Sequence, residues 1–219
     1  MNQIMLALHT WHNMTAHFPA TKSGWGYDPK TREWFLQRPY LSWRVFLLPL
    51  LGEKELFEKF QTGQPWDSEH NRRLIPLMPK VYRAPGSKAE EGKTNYLGVV
   101  GPSAAFPEKG TITIVDFTDG TSGTIMLVEV PDEAAVEWTR PEDFPADTKE
   151  PAKKLVGLRK GGFLTVFADA APEFISDAIG PETLRQLMTR NGRELVPPED
   201  RKRWVHFVRP ATGPDTKAN

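Results

Sequence analysis

The chain has 219 residues, balances 28 Lys plus Arg against 28 Asp plus Glu, and contains no cysteine. A chain of that length buries enough surface to fold without a disulfide or metal. Its neutral balance excludes a global basic field for nucleic acid, and the missing thiols exclude disulfides, thiolate nucleophiles and zinc–thiolate sites.

Apolar side chains at Ile4, Met5, Leu8 and Trp11 recur at helical spacing and predict an amphipathic helix over 2–16. It starts without an N-cap and reads as the continuation of something longer. Met1 to His17 shows neither the basic zone nor the long apolar zone of a signal peptide, and no run of about 18 apolar residues offers a membrane span. From Phe18 to Tyr40 the signals are those of a loop: Pro19, Gly24, Gly26, Pro29 and Pro39. Leu41 to Phe60 is helix-prone but broken by Pro49 and Gly52. Asp67 or Ser68 caps a further helix ending near Pro76, with Glu69 in its first turn.

Beyond Pro79 the character changes. The segments Lys80 to Arg83, Asn95 to Val100, Thr111 to Val115, Ile125 to Val130 and Phe163 to Ala168 are short β-branched or aromatic runs bounded by turn residues, and they predict strands. Phe174-Ile175 returns as the hairpin partner of 163–168. Asp143 to Lys154, rich in charge and proline, is expected to be an exposed loop. Pro181 to Arg190 predicts a helix with Asn191-Gly192 as its stop. Trp204 to Val208 predicts a last strand, and 210–219 a disordered tail. Helices first and an antiparallel sheet after, without βαβ alternation, predict an α+β fold in a single domain over 1–209. The first helix is expected to lie against a sheet containing 125–130 and 163–168.

Several stretches carry a resemblance. They include Gln3 to His9 with His17-Phe18-Pro19, Leu41-Ser42-Trp43-Arg44-Val45, Pro65 to Asn71, Thr94 to Gly101, Thr118 to Ser122, and Gly161-Gly162-Phe163 with Phe167-Ala168-Asp169. Over about 2–195 the chain resembles a large paralogous family of planctomycete bacteria labelled a domain of unknown function. Members of that family are similar to type IV pilins and type II secretion pseudopilins. The resemblance implies a prepilin-type leader and a long hydrophobic helix before a β-rich head, a cell-surface or extracytoplasmic location, and other pilin-like subunits or secretion machinery as partners. It attaches no catalysis and no cofactor. Two departures stand out: leader and membrane helix are missing from this chain, and the family's histidine–nine residues–Asp-Gly signature meets Arg159 and Ala170 around Asp169.

Residues with chemical potential also have plainer roles. His9 and His12 stand three apart on one helix, but no Asp or Glu shares it to complete a metal site. Gly120-Thr121-Ser122-Gly123 lacks the spacing of a nucleophile elbow, and Asp119-Gly120 reads as a turn bonding local amides. Glu129, Asp132 and Glu133, with Asp116 and Asp119, are hard oxygen ligands of the kind calcium requires, without EF-hand spacing. Asp67-Ser68-Glu69-His70 holds triad residue types, yet consecutive helical neighbours diverge, so capping explains them. Trp25, Trp34, Trp43, Trp66 and Trp138 lie in or beside loops, as core plugs or as platforms for a glycan or small solute. The expectation is a non-enzymatic head domain without catalytic or cofactor-binding residues. Solute or glycan binding and an unrecognised hydrolase are the alternatives.

Overall fold

The computed structural model describes residues 1–21, 25–28, 33–36, 40–107, 110–193 and 196–207. Helix α1 (Asn2–Thr15) buries Ile4, Met5, Ala7 and Leu8 and stops where Ala16 turns left-handed at φ 64°. Strands β1 (Trp25–Asp28) and β2 (Glu33–Leu36) pair as an antiparallel hairpin where the sequence predicts loop. The helix-prone segment yields α2 (Trp43–Phe46), a 3-10 turn at Leu48–Leu51 and α3 (Lys54–Glu58). Gly52, at φ 83°, is the break between the last two. Helix α4 (Glu69–Arg72) is capped by Ser68, whose side chain accepts from the Asn71 N–H; Asp67 is not the cap.

The strands come next. β3 (Lys93–Thr94) pairs with β6 (Val136–Glu137), and β4 (Tyr96–Val100), β5 (Ile125–Glu129) and β7 (Phe144–Pro145) enter the main sheet. After α5 (Pro151–Leu155), the hairpin of β8 (Gly162–Phe167) and β9 (Pro172–Ser176) follows. The chain ends through α6 (Pro181–Leu187), α7 (Pro198–Trp204) and β10 (Val205–Phe207). The sheet has six strands in the order β10-β9-β8-β5-β4-β7. Every pairing is antiparallel except β4 with β7, which is parallel. An N-terminal helix on a mainly antiparallel sheet is an α+β fold.

Both faces of the sheet are covered. Tyr96, Met126, Leu127, Val166 and Ala168 join Ile4, Met5, Leu8 and the helices around Trp43 in one core. Leu97, Val99, Ile125, Val128, Phe163, Phe167 and Ile175 form the other core with Leu155, Leu184, Leu187 and Met188 from α5, α6 and the exit of α6. Strict alternation would send Met126 and Leu127 to opposite faces. A register shift between Ile125 and Leu127, where β5 meets β8, inserts an extra residue and lets both point toward α1.

Four further expectations need correction. Lys80 to Arg83 is not a strand: Lys80–Tyr82 forms a 3-10 turn after Pro79, because the buried Tyr82 hydroxyl is drawn to the Arg44 carbonyl. Thr111 to Val115 is not a strand either. Thr113 and Asp116 form a capping box around a 3-10 turn at Ile114–Asp116, leaving Val115 79% exposed with no sheet to cover it. Asp143 to Lys154 is not simply an exposed loop, since Phe144, Pro151 and Leu155 are buried and supply β7 and α5. Finally, α6 ends at Leu187, before Asn191-Gly192, and α7 precedes the last strand unforeseen. Val208 and the predicted tail lie outside the described residues.

Ala170 sits at the tip of the β8–β9 hairpin with φ 69°, where a Cβ is strained. Asp169 steadies this turn, its Oδ1 accepting from the Ala171 N–H at 3.0 Å. Ala170→Gly is expected to stabilise the protein by about 0.5–1 kcal/mol, since relief of strain exceeds the added chain entropy. The check is a denaturant midpoint, and a lower midpoint for the variant would show that the turn does not need that conformation.

Candidate functional site

The motif Leu41 to Val45 and the motif Thr94 to Gly101 meet at a buried ion pair. Arg44, on α2, is 0% exposed, and its Nη2 donates to Asp143 Oδ1 at 2.6 Å. The rest of the guanidinium is also engaged: Nε donates to the Tyr96 carbonyl at 3.1 Å and Nη1 to Ser42 Oγ at 2.6 Å. Longer bonds run from Nη1 to the Arg140 carbonyl at 3.5 Å and from Nη2 to the Glu142 carbonyl at 3.3 Å. A fork of N–H donors matched in this way leaves no buried donor idle.

Asp143 is as fully held. Its carboxylate accepts from the Gly98 N–H at 2.8 Å and from Trp43 Nε1 at 3.2 Å. Gly98 has no room for a side chain, because a Cβ there would lie 2.8 Å from the Phe106 ring, which stacks on Trp43 at 5.4 Å. Around the pair, Tyr82 donates to the Arg44 carbonyl at 2.7 Å and Thr94 Oγ1 to the Tyr82 carbonyl at 2.6 Å. Trp138 stacks on Tyr82 at 5.7 Å, with its Nε1 donating to the Ile75 carbonyl. Burial pushes the Asp143 carboxyl above the usual carboxylate range, against the pull of Arg44 and the N–H donors. No side chain of this centre is open to a substrate, and its charges are spent on each other.

The residues nominated from sequence are dispersed. His9 Nε2 donates to the Ala168 carbonyl at 2.8 Å, while His12 Nε2 accepts from the Ile114 N–H at 3.2 Å. Both rings pack on Phe18, so they tether α1 to the sheet and to the 113–116 turn. Glu129, 1% exposed, is bound by both Arg159 Nε and Arg159 Nη2. Asp132 is held by Ser87 at 2.6 Å, by the Lys88 N–H at 2.7 Å and by Asn95 at 2.9 Å; although burial works against it, these bonds keep its carboxyl below the ordinary range. Bonds from Thr113 hold Asp116 low in the same way. Glu133 is exposed. Among the described residues no group of three His, Asp or Glu side chains converges as a metal site.

Asp119 does not bond its local amides as expected. Its carboxylate accepts from the distant Gly192 N–H at 2.7 Å and Arg193 N–H at 3.0 Å, joining the 117–120 turn to the exit of α6. Ser122 is exposed beside it, with no histidine among its bonds; its carbonyl accepts from Arg201. In the Asp67 to His70 run, His70 Nε2 donates to the Lys59 carbonyl at 2.8 Å and Glu69 pairs with Arg73. Trp43 and Trp138 are fully buried plugs, and Trp66 is half-buried beneath Arg140 at 5.6 Å. The side chains of Trp25 and Trp34 lie outside the described residues.

Neither Arg44 nor Asp143 is nominated by chemistry in the sequence. The available signal was a lone charge inside the otherwise apolar run Leu41 to Leu51, which burial obliges to find a partner. A groove of about 660 Å³ runs beside α1 past Leu6, Leu50, Leu51, Leu77 and Val81. No helix among the described residues is long and apolar enough to cross a membrane.

Fold and centre together define an α+β domain whose helical layer is bolted to its sheet through a buried ion pair. The chain belongs to a family described as a protein of unknown function, DUF1559, whose model matches residues 1–159. No curated protein matches the chain significantly, and no solved structure does.

Arg44→Met should destabilise the protein by about 3–5 kcal/mol at neutral pH, because it strands a buried carboxylate. The sign with pH follows from Asp143. Its folded-state pKa lies above the unfolded value, so its protonated form favours folding and that stability is lost as pH rises through the folded pKa. Removing Arg44 raises the carboxyl further, so the penalty should shrink on acidification. Urea titrations of wild type and variant across acid to neutral pH measure it; a penalty independent of pH would mean that Asp143 is not the group left uncompensated.

Proposed function

We propose that this chain is a non-enzymatic structural or assembly head domain of a pilin-like or pseudopilin-like exported protein. It would act outside the cytoplasm or at the cell surface, with other pilin-like subunits or secretion machinery as partners. One observation carries the reading: six polar or aromatic residues of the resembling motifs, Ser42, Trp43, Arg44, Asn71, Thr94 and Asn95, are 0% exposed and engaged in internal bonds or packing. Motifs spent on holding a shape suit a scaffold better than a catalyst.

The outward side of α1 supports the same reading. The helix has no Asp, Glu, Lys or Arg, and its surface carries Leu6 at 68% and Met14 at 72% exposure. An uncharged helix face with large apolar side chains is what a packing surface requires. The reading is tested by placing a photo-crosslinking residue at Met14 in cells expressing the native gene. Crosslinks to like subunits in the envelope are expected. A protein that stays uncrosslinked and cytoplasmic would overturn the proposal, and crosslinks to a saccharide would favour the solute-binding alternative.

A further inference from the structure

Beyond α6 an exposed Asn191-Gly192 pair lies against the carboxylate of Asp119. Glycine after asparagine is the least hindered setting for attack of the following backbone nitrogen on the side-chain amide, because no Cβ crowds that nitrogen. That attack needs the nitrogen to lose its proton. Here the Gly192 N–H points at Asp119 Oδ2 at 2.7 Å, within the reach required of a general base.

Asp119 is held in that position. It is 9% exposed, its own N–H donates to the Arg190 carbonyl at 3.1 Å, and its other oxygen accepts from the Arg193 N–H at 3.0 Å. Asn191 and Asp119 line one cavity of about 630 Å³ with Thr118 and Arg193. Arg193 is itself left-handed at φ 60°, which fixes the backbone just past the reacting peptide.

We propose that Asn191 is a self-modifying site, deamidating through a cyclic imide with Asp119 as the general base. The Gly192 nitrogen bonds to Asn191 Cγ, and its proton passes through Asp119 to the departing Nδ2. The Cγ–Nδ2 bond breaks and ammonia leaves. Water then opens the imide at either carbonyl, giving aspartate or isoaspartate at 191 with no oxidant, reductant or cofactor. The product adds a negative charge to a chain of zero formal charge and sets it in the same cavity as Asp119. Repulsion there works against the bonds that tie the 117–120 turn to the α6 exit, so the modification acts as a slow clock on that junction.

The experiment compares the native chain with the same chain unfolded in urea, in one mildly alkaline buffer. Peptide mapping follows conversion at 191 and isoelectric focusing follows the acidic shift. The folded chain should convert about tenfold faster than the unfolded one, less than a well-matched base contributes because a carboxylate is weak toward an amide proton. Folded Asp119→Asn should fall to the unfolded rate. A native rate equal to or below the urea rate would overturn the proposal whether or not that variant folds, and an unchanged rate in folded Asp119→Asn would remove Asp119 from the reaction.

Discussion

A guanidinium with no exposure must be met by a carboxylate and by enough acceptors to replace its lost water, and most of this architecture follows from meeting that demand at Arg44. Its partners come from separate stretches: Ser42 just before α2, Tyr96 on β4, and Arg140, Glu142 and Asp143 leading into β7. Asp143 in turn reaches the Gly98 amide, which places β7 against β4 as the parallel edge of the sheet. Hydrophobic burial is non-directional and would accept several arrangements of the helical layer on the sheet. The polar centre accepts only the one in which each donor finds its acceptor. Such a pair adds little net stability relative to apolar packing, but its loss in a single partner is severe.

The sheet adapts to this centre and to α1 together. Gly98 lets the Phe106 ring lie flat against the strand and under Trp43, so the indole N–H is aimed at Asp143. On the neighbouring strand the bulge at Ile125–Leu127 turns consecutive apolar side chains toward the α1 core, while Ile125 and Val128 stay in the other core. His9 and His12 then hold the helix by directional bonds to Ala168 and Ile114. Residues with the look of a metal pair thus do a mechanical task.

Periodicity made α1, β4, β5, the β8–β9 hairpin and α6 legible in the sequence, because each has several residues on a defined face. The short runs at 80–83 and 111–115 misled, since a few β-branched or aromatic residues do not distinguish a strand from a turn packed by distant contacts. Tyr82 is placed by Arg44, 38 residues away in sequence, and no local pattern carries that. Asp143 was hidden for a similar reason: a carboxylate in a segment full of charge and proline looks solvated until its partner is known. The centre was legible only in part, as a lone arginine among apolar neighbours.

Arg159 and Ala170 each carry a definite structural duty. Arg159 neutralises Glu129, a carboxylate at the end of β5 that is 1% exposed and faces Tyr96 across the strand pair. A short imidazole could not offer the forked contact that both Glu129 oxygens receive from the guanidinium. Ala170 keeps the left-handed turn that a glycine would take without strain, and Asp169 bonds the amide beyond it as a turn aspartate does. Charge compensation under the α1 core and closure of a hairpin are both structural duties. The hairpin and the end of β5 are thus fixed by a left-handed turn at one position and an ion pair at the other.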